Sequence, residues 1–400
     1  MPAGAYDGDM GKCATLGTSV GLVALLAGAC DEQDGRGGSA GQTGLTGLPG
    51  GQDGGSGDSD GDGSDGGGGT DGGGGATDSN GGDSDGSKFD VGGPGNADDG
   101  APNDTCGTEC ECVTPEHIPC DAGGTDVFNA IGLNCAGEVQ ATVSTAGPPS
   151  AIGVRTGFGN TNTWAPTEGS SFAVIGSGLV AELNSATPAG DFDLSPTHCN
   201  DDLGAFDPGG SLPAPLRTNN VGASDCNDDP TLVGSGDCSN TIAEQFDQGG
   251  SANDYVEMRV DLDVPDDVVS ISYDFAFFST EWPAYAGSEF NDMYVGWLES
   301  ENWTGNISFD GAGNPISLNA GFLEYTDQGG GLPELAGTCM ARHAGTGWLS
   351  TTVGVTPGES ITVVFAIFDL SDSILDSYAF IDNFQLGCEP QSGPVTMPEG

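Results

Sequence analysis

Positive charge is scarce in this chain. Its 400 residues hold only 7 Lys+Arg and 3 His against 60 Asp+Glu, for a formal net charge of −53. So few cations cannot build a surface that neutralises a run of phosphates, which argues against nucleic acid as a partner. The same shortage argues against docking on an anionic bilayer through basic side chains. Long apolar runs are also missing, and nothing approaches the roughly 20 residues that span a membrane. The three histidines (His117, His198, His343) show no paired zinc-type spacing. His-Glu-x-x-His, Gly-x-Ser-x-Gly and P-loop signatures are all absent, and Gly176-Ser-Gly178 and Gly234-Ser-Gly236 read as loop glycines. No histidine has a recognisable partner for a Ser-His-Asp arrangement. The sequence therefore points away from catalysis.

What is present divides the chain into blocks. Residues 1–30 have the layout of an export signal: Lys12, an apolar stretch from Leu16 to Leu26, then the small residues Ala27-Gly28-Ala29 ahead of Cys30. A Cys in that place resembles a bacterial lipobox, with Cys30 as the lipidated residue. Asp7 and Asp9 are wrong for a signal start, so Met10 is an alternative initiator. The expected location is the outer membrane or cell surface, with acylation as the sole membrane attachment.

Residues 31–105 contain 28 Gly and 16 acidic residues but only two basic ones, Arg36 and Lys88. Leu45, Leu48, Phe89 and Val91 are the only large apolar residues, too few to offset chain entropy, so a disordered linker is expected. Asp58-Ser-Asp60-Gly-Asp62-Gly63 imitates the start of a calcium loop, but its twelfth position is Gly69 rather than Glu. The three collagen-like triplets from Gly41 to Gly50 are too few for a triple helix.

Beyond the signal and lipid cysteines, ten remain: Cys106, Cys110, Cys112, Cys120, Cys135, Cys199, Cys226, Cys238, Cys339 and Cys388. An even number in an exported chain reads as a disulfide framework. Spacing cannot fix the pairing, although Cys226 and Cys238 are close enough for a local staple. A Cys/His zinc site around Cys112, His117 and Cys120 is the weaker alternative.

The folded part begins near Cys106. Apolar residues alternate along Tyr255–Val264 and along Val268–Phe278, where Val269, Ile271, Tyr273, Phe275 and Phe277 share a face. Ile361–Phe368 and Ser377–Ile381 are further β-rich runs, with Pro, Gly and Asn turns between. No long amphipathic helix is evident. The expected fold is all-β, an antiparallel β-sandwich of the jelly-roll type. We expect 106–240 to be a Cys-rich β and loop region packed on the sandwich, 241–390 the sandwich itself, and 391–400 a tail.

Several motifs carry a resemblance. Phe275-Ala-Phe-Phe-Ser-Thr-Glu-Trp-Pro-Ala-Tyr285, Gly287-Ser-Glu-Phe-Asn-Asp-Met293, Asn306-Ile-Ser-Phe309, Pro315-Ile-Ser-Leu-Asn319 and Phe368-Asp-Leu-Ser-Asp-Ser-Ile-Leu-Asp-Ser-Tyr-Ala-Phe-Ile-Asp-Asn-Phe384 follow one another in order. Over about residues 240 to 390 the chain resembles the choice-of-anchor L domain family, extracellular bacterial β-rich domains that differ in how they attach to surfaces. The resemblance implies surface display and carries no catalytic residues. The linker and Cys-rich composition also resemble a myxobacterial lipoprotein.

Two acidic loops are the candidate cation site. Glu289, Asn291 and Asp292 precede one strand, and Asp369, Asp372 and Asp376 lie between two others. Calcium takes six to eight oxygens of this kind, and two such loops meeting at one end of the sandwich would require a cation between them. Asp382-Asn383 reads as an edge or turn feature. Trp282, Tyr285 and Trp303 are candidate glycan contacts, whereas Trp297 suits a core strand. The leading expectation is a non-catalytic surface lipoprotein that meets a cell-envelope glycan or protein, with calcium as stabilising ion. The alternatives are a carbohydrate-binding module or an extracellular polysaccharide hydrolase using Glu281 and Glu289 as its acid pair.

Overall fold

In a computed structural model of the chain, the structure describes residue 112 and residues 114–186, 196–204, 206–218, 241–320 and 323–399. The signal segment with Cys30, the linker 31–105, and Cys106, Cys110, Cys226 and Cys238 lie outside the described residues.

The β-branched and aromatic runs become strands. In chain order they are β1 (Thr142–Ala146), β2 (Ile152–Arg155), β3 (Phe172–Gly176), β4 (Ala252–Asp263), β5 (Ser270–Ser279), β6 (Met293–Glu299) and β7 (Thr304–Asn306). There follow β8 (Tyr325–Thr326), β9 (Ala344–Gly345), β10 (Leu349–Gly354), β11 (Ser360–Leu370), β12 (Ser377–Gly387) and β13 (Val395–Pro398). The one α-helix among the described residues, α1 (Ala243–Gly249), is closed by Gly250 at φ 72°, a left-handed cap that glycine adopts without Cβ strain. All pairings are antiparallel. One sheet has the order β1-β4-β11-β6-β7; the other runs β13-β10-β5-β12-β3-β2, with β8 and β9 attached beside β5. Successive strands β4, β5 and β6, and again β10, β11 and β12, alternate between the sheets. These crossings make the β-sandwich expected from the sequence.

Period two sorts each strand between two environments. Val256, Met258, Val260 and Leu262 of β4, Val363, Phe365 and Ile367 of β11, and Ile271, Tyr273, Phe275 and Phe277 of β5 enter the core between the sheets. Toward the end where β11 and β5 finish, the alternate residues are also apolar because the outer faces are covered there, whereas Arg259, Asp261 and Asp263 of β4 and Ser350 and Thr352 of β10 are polar and at least partly exposed. Val364, Ala366, Phe368 and Leu370 of β11 pack under Leu212, Leu216, Ile242 and Phe246. Ala276 and Phe278 of β5, with Tyr378 and Phe380 of β12, pack under Phe158, Trp164, Leu335 and Met340. A strand buried on both faces reads as a nearly continuous apolar run, which is what Ile361–Phe368 is.

Several expectations change. Residues 142–176 do not form a region packed onto a separate sandwich. β1 pairs with β4, and β3 pairs with the central strand β12, so the boundary expected at 240 is crossed by both sheets. The expected tail supplies β13, which pairs with β10. Disulfides join Cys112–Cys388, Cys120–Cys135 and Cys199–Cys339. The zinc alternative fails, since Cys112 and Cys120 are in disulfides and His117 lies between Glu138 (3.1 Å) and Glu168 (3.0 Å). Asp382 is no edge feature; it is buried in β12 and accepts hydrogen bonds from the Thr167 (2.7 Å) and Glu168 (3.1 Å) amides.

Candidate functional site

Carboxylates collect at one end of the sandwich because antiparallel neighbours bring strand ends to strand starts. β5 runs out through Thr280-Glu281, β6 is entered through Asn291-Asp292, β11 ends at Asp369-Leu370 and β12 is entered through Asp376. The register aligns them: Phe368 opposes Met293, Ser377 opposes Ser279, and Asp369 opposes Asn253 at the start of β4. Asp292, Asp369 and Asp376 are fully buried, and Glu281 is 1% exposed.

Their hydrogen-bond supply is unequal. Asp292 accepts from the Leu370 amide (3.1 Å) and from Ser377 Oγ (2.6 Å). Asp376 accepts from the Asp201 amide (2.8 Å) and the Tyr378 hydroxyl (2.8 Å). Asp369 receives no donor on either oxygen, and Glu281 Oε2 receives none. Ser177 Oγ is near enough to oppose ionisation cost at Asp369, yet meets neither oxygen in hydrogen-bond geometry. A buried carboxylate without donors is among the costliest groups a fold can hold.

Each of these acids is accordingly pushed upward. Burial raises Asp369 well above the usual carboxylate range, and the charges of Asp292, Asp376 and Glu281 add to it. Burial also raises Glu281, with Asp292 and Asp372 adding. Asp292 is raised by burial against the pull of its Ser377 and Leu370 hydrogen bonds. For Asp376 burial again dominates, opposed by the Tyr378 hydroxyl and reinforced by Asp201. The row continues to Asp254, which burial and the charges of Asp202 and Asp207 push up to about 7.

Local backbone supports the crowding. Ser371 (φ 84°) and Leu375 (φ 74°), on either side of Asp372, adopt left-handed conformations that are unusual for such residues. A Cβ at Gly178 would stand 1.6 Å from Asp376 Oδ2, so only glycine lets this carboxylate lie against the end of β3. Gly176-Ser-Gly178 thus has a packing role.

The structure brings together Asp292, Asp369 and Asp376 of the expected site. Asp372 is half-buried and accepts from the Ile374 amide at 3.3 Å, while its charge still bears on Glu281 and Asp292. Glu289 is exposed, outside the buried row, and only its backbone oxygen joins in, accepting from Ser371 Oγ at 3.1 Å. Asn291 is buried with its amide spent on Asn319 (2.8 Å) and Gln245 (3.0 Å). Sequence reading left Glu281 out of this acidic set, and it missed Asp201 and Asp254 altogether. Among the described residues, no group of three His, Cys, Asp or Glu side chains is placed to hold a metal ion as it stands. The acids form a row in which Asp292 lies within side-chain hydrogen-bonding reach of Asp369 and Glu281, so a shared proton relieves part of their repulsion.

Of the candidate glycan contacts, Trp303 is withdrawn. It is 3% exposed in the core between the sheets, with Nε1 donating to the Asn306 carbonyl at 3.0 Å. Trp282 and Tyr285 are half-buried in the loop between Glu281 and Asn291; Trp282 Nε1 donates to the Asp327 carbonyl (3.2 Å) and Tyr285 packs edge-on against Phe290. Ile374 in the neighbouring loop is 51% exposed. Of the acid pair considered for a hydrolase, Glu281 is buried and Glu289 is exposed. Neither lines the cavity of about 460 Å3 beside His117, Glu138 and Phe384.

No protein-family model matches the chain, and no curated protein does. Among solved structures, the chain aligns with the carbohydrate-binding module TmCBM61, determined in complex with β-1,4-galactotriose. The alignment covers 62% of this chain and 88% of that one, at 9% identity and a TM-score of 0.22. A score so low supports no statement about what this chain binds. The three disulfides among the described residues fit an oxidising compartment. Among the described residues no helix is long and apolar enough to cross a membrane.

Proposed function

We propose that this chain is a non-catalytic, surface-displayed binding protein, anchored through Cys30, whose loop end is completed by calcium and meets a cell-envelope glycan or protein. The observation that carries the cation is Asp369: a fully buried carboxylate without a donor, beside Asp292, Asp376 and Glu281. Calcium accepts carboxylate oxygens in variable number and geometry. Asp369 and Glu281 Oε2 are tied by no donor, so both side chains can turn onto an entering ion.

We place binding at the same end. There the outer sheet faces lie under apolar loops, so loops rather than sheet surfaces meet a partner. The loops over the acidic row carry Trp282, Tyr285 and the exposed Ile374. A cation below them would fix those loops in one arrangement, making recognition calcium-dependent. The choice-of-anchor L resemblance and the lipobox support display at the cell surface and rest on the residues quoted for them.

The test uses the whole chain with disulfides formed, melted in EDTA and in millimolar calcium, then applied to envelope fractions and a glycan panel in both conditions. The expected result is a calcium-raised Tm together with calcium-dependent retention. Equal Tm values in EDTA and calcium would remove the cation from the proposal, and calcium-independent or absent retention would remove the loop end as the binding surface. Turnover of any polysaccharide would overturn the non-catalytic reading.

A further inference from the structure

We propose that a second hard divalent cation, of the calcium class, binds between Asp254 and Asp201 where β4 begins. This goes beyond the first cation position and stands on different residues. Asp254, the third residue of β4, is fully buried at φ 47°. Its Oδ1 accepts from the Leu203 amide at 2.9 Å, but no donor reaches Oδ2. The Asp254 amide itself donates to Asp207 Oδ1 at 3.1 Å, which holds another carboxylate close by. Asp201 repeats the pattern: its amide donates to Asp376 Oδ1 at 2.8 Å, while its buried Oδ2 has no donor.

Charge around this point is one-sided. Asp202 and Asp207 act on Asp254, Asp254 and Asp201 act on Asp376, and Glu182 acts on Asp201. The opposing group at Asp201 is His198, which is already paired with Glu182 at 3.4 Å. None of the ion pairs among the described residues includes Asp201, Asp254 or Asp376. A fold that buries this much like charge with unpartnered oxygens must neutralise it, by protons or by a bound cation. Oxygen-only donors select the hard cations over zinc or copper.

The scaffold is fixed before any ion arrives. The Cys199–Cys339 disulfide ties down the segment bearing Asp201, and the Asp376 amide donates to the Cys199 carbonyl at 3.0 Å. Asp376 stands between the two positions, sensed by Asp369 on one side and adjoining Asp201 and Asp254 on the other.

The test counts cations by linkage. The whole oxidised chain is unfolded with denaturant over a series of calcium concentrations. Each cation bound only by the folded state multiplies the folding constant about tenfold per tenfold rise in calcium, once its site is saturated. Acidic residues that attract calcium equally in folded and unfolded chains cancel. Two cations predict a hundredfold dependence in the wild type and a tenfold dependence in Asp254→Asn and, separately, in Asp369→Asn. Asp254→Asn should also be no less stable than the wild type in EDTA, which a purely structural aspartate would not allow. Asp201→Asn gives the same reading should Asp254→Asn fail to fold. A tenfold dependence that Asp369→Asn abolishes and Asp254→Asn leaves intact overturns the second position and keeps the first. The reverse pattern keeps the second and overturns the first, and no calcium dependence overturns both.

Discussion

Replacing Asp369 by Asn separates the charge of this side chain from its shape. The wild-type carboxylate is fully buried, has no donor on either oxygen and adjoins Asp292, Asp376 and Glu281. Without a cation, the least costly remedy at pH 7 is a proton. Against an unfolded carboxyl that ionises near pH 3.9, this forfeits about 4 kcal/mol of stability. Asn removes that penalty and brings an unsatisfied amide costing about 1–3 kcal/mol. The variant in EDTA should therefore be more stable than the wild type by about 1–3 kcal/mol, or about 2–4 °C in Tm for each kcal/mol. In calcium at a hundredfold excess over its Kd, the cation at this position adds about 2.7 kcal/mol to the wild type and nothing to the variant, while any gain from the second position is common to both. Paired melts of both proteins in EDTA and calcium read this directly, and the difference should close or change sign between the two conditions. A variant less stable than the wild type in EDTA, with an undiminished calcium response, would refute the reasoning that Asp369 is an uncompensated charge.

Other expectations concern the frame around the row. Replacing Cys199 and Cys339 together by Ala opens a closed loop of 140 residues, which should cost about 3–5 kcal/mol, seen as a lower denaturation midpoint. Gly178→Ala places a Cβ 1.6 Å from Asp376 Oδ2 and should cost about 1–3 kcal/mol, with a weakened calcium response because Asp376 is displaced. Asp327 is opposed by burial, but hydrogen bonds from Arg342 (2.8 Å) and the amides of Gly331, Gly330 and Gly329 outweigh it and hold its carboxyl below the usual range. A depressed folded pKa means stability present above about pH 4 and lost as pH falls through the folded value. Asp327→Asn should therefore lower Tm near neutrality, with the gap to the wild type closing as the solution is acidified.

Strand chemistry was legible wherever a run had to satisfy a buried face. Ile271, Tyr273, Phe275 and Phe277 fall on one face as their spacing predicts, although Val268, which closes the turn from Pro265, enters the core rather than Val269. Thr142–Ala146 gave no comparable signal. It is an edge strand, exposed along nearly its whole length, and its pairing with Met258 and Val260 is set by the partner rather than by its own apolar content. Trp303 was misread for a related reason, since composition does not say whether an aromatic beside a turn faces outward. The acidic row was half legible. Asp292, Asp369 and Asp376 lie in turns whose strands could be recognised, so their convergence followed from antiparallel order. Asp201 and Asp254 flank no recognised turn of that kind. Their meeting depends on the disulfide at Cys199 and on contacts between residues about fifty apart, which a single sequence does not display.

Covering the outer sheet faces near the acidic end has a consequence for recognition there. A β-sandwich offers a face, an edge or its loops to a partner. Over β11, and over β5 and β12, apolar loops occupy the faces at this end. The loops here are therefore what a partner would meet, and their positions depend on how the buried charge is neutralised. The Leu370 amide is tied to the Asp292 carboxylate, so a shift of that group moves the end of β11, while Ser371 and Thr280 are held by the backbone oxygens of Glu289 and Asp376. Shared protons relieve the repulsion pair by pair, since Asp292 is within side-chain hydrogen-bonding reach of Asp369 and of Glu281, whereas the proposed cation would draw the acids to one centre. On that proposal the ion would also select the arrangement of Trp282, Tyr285 and Ile374 presented to a partner.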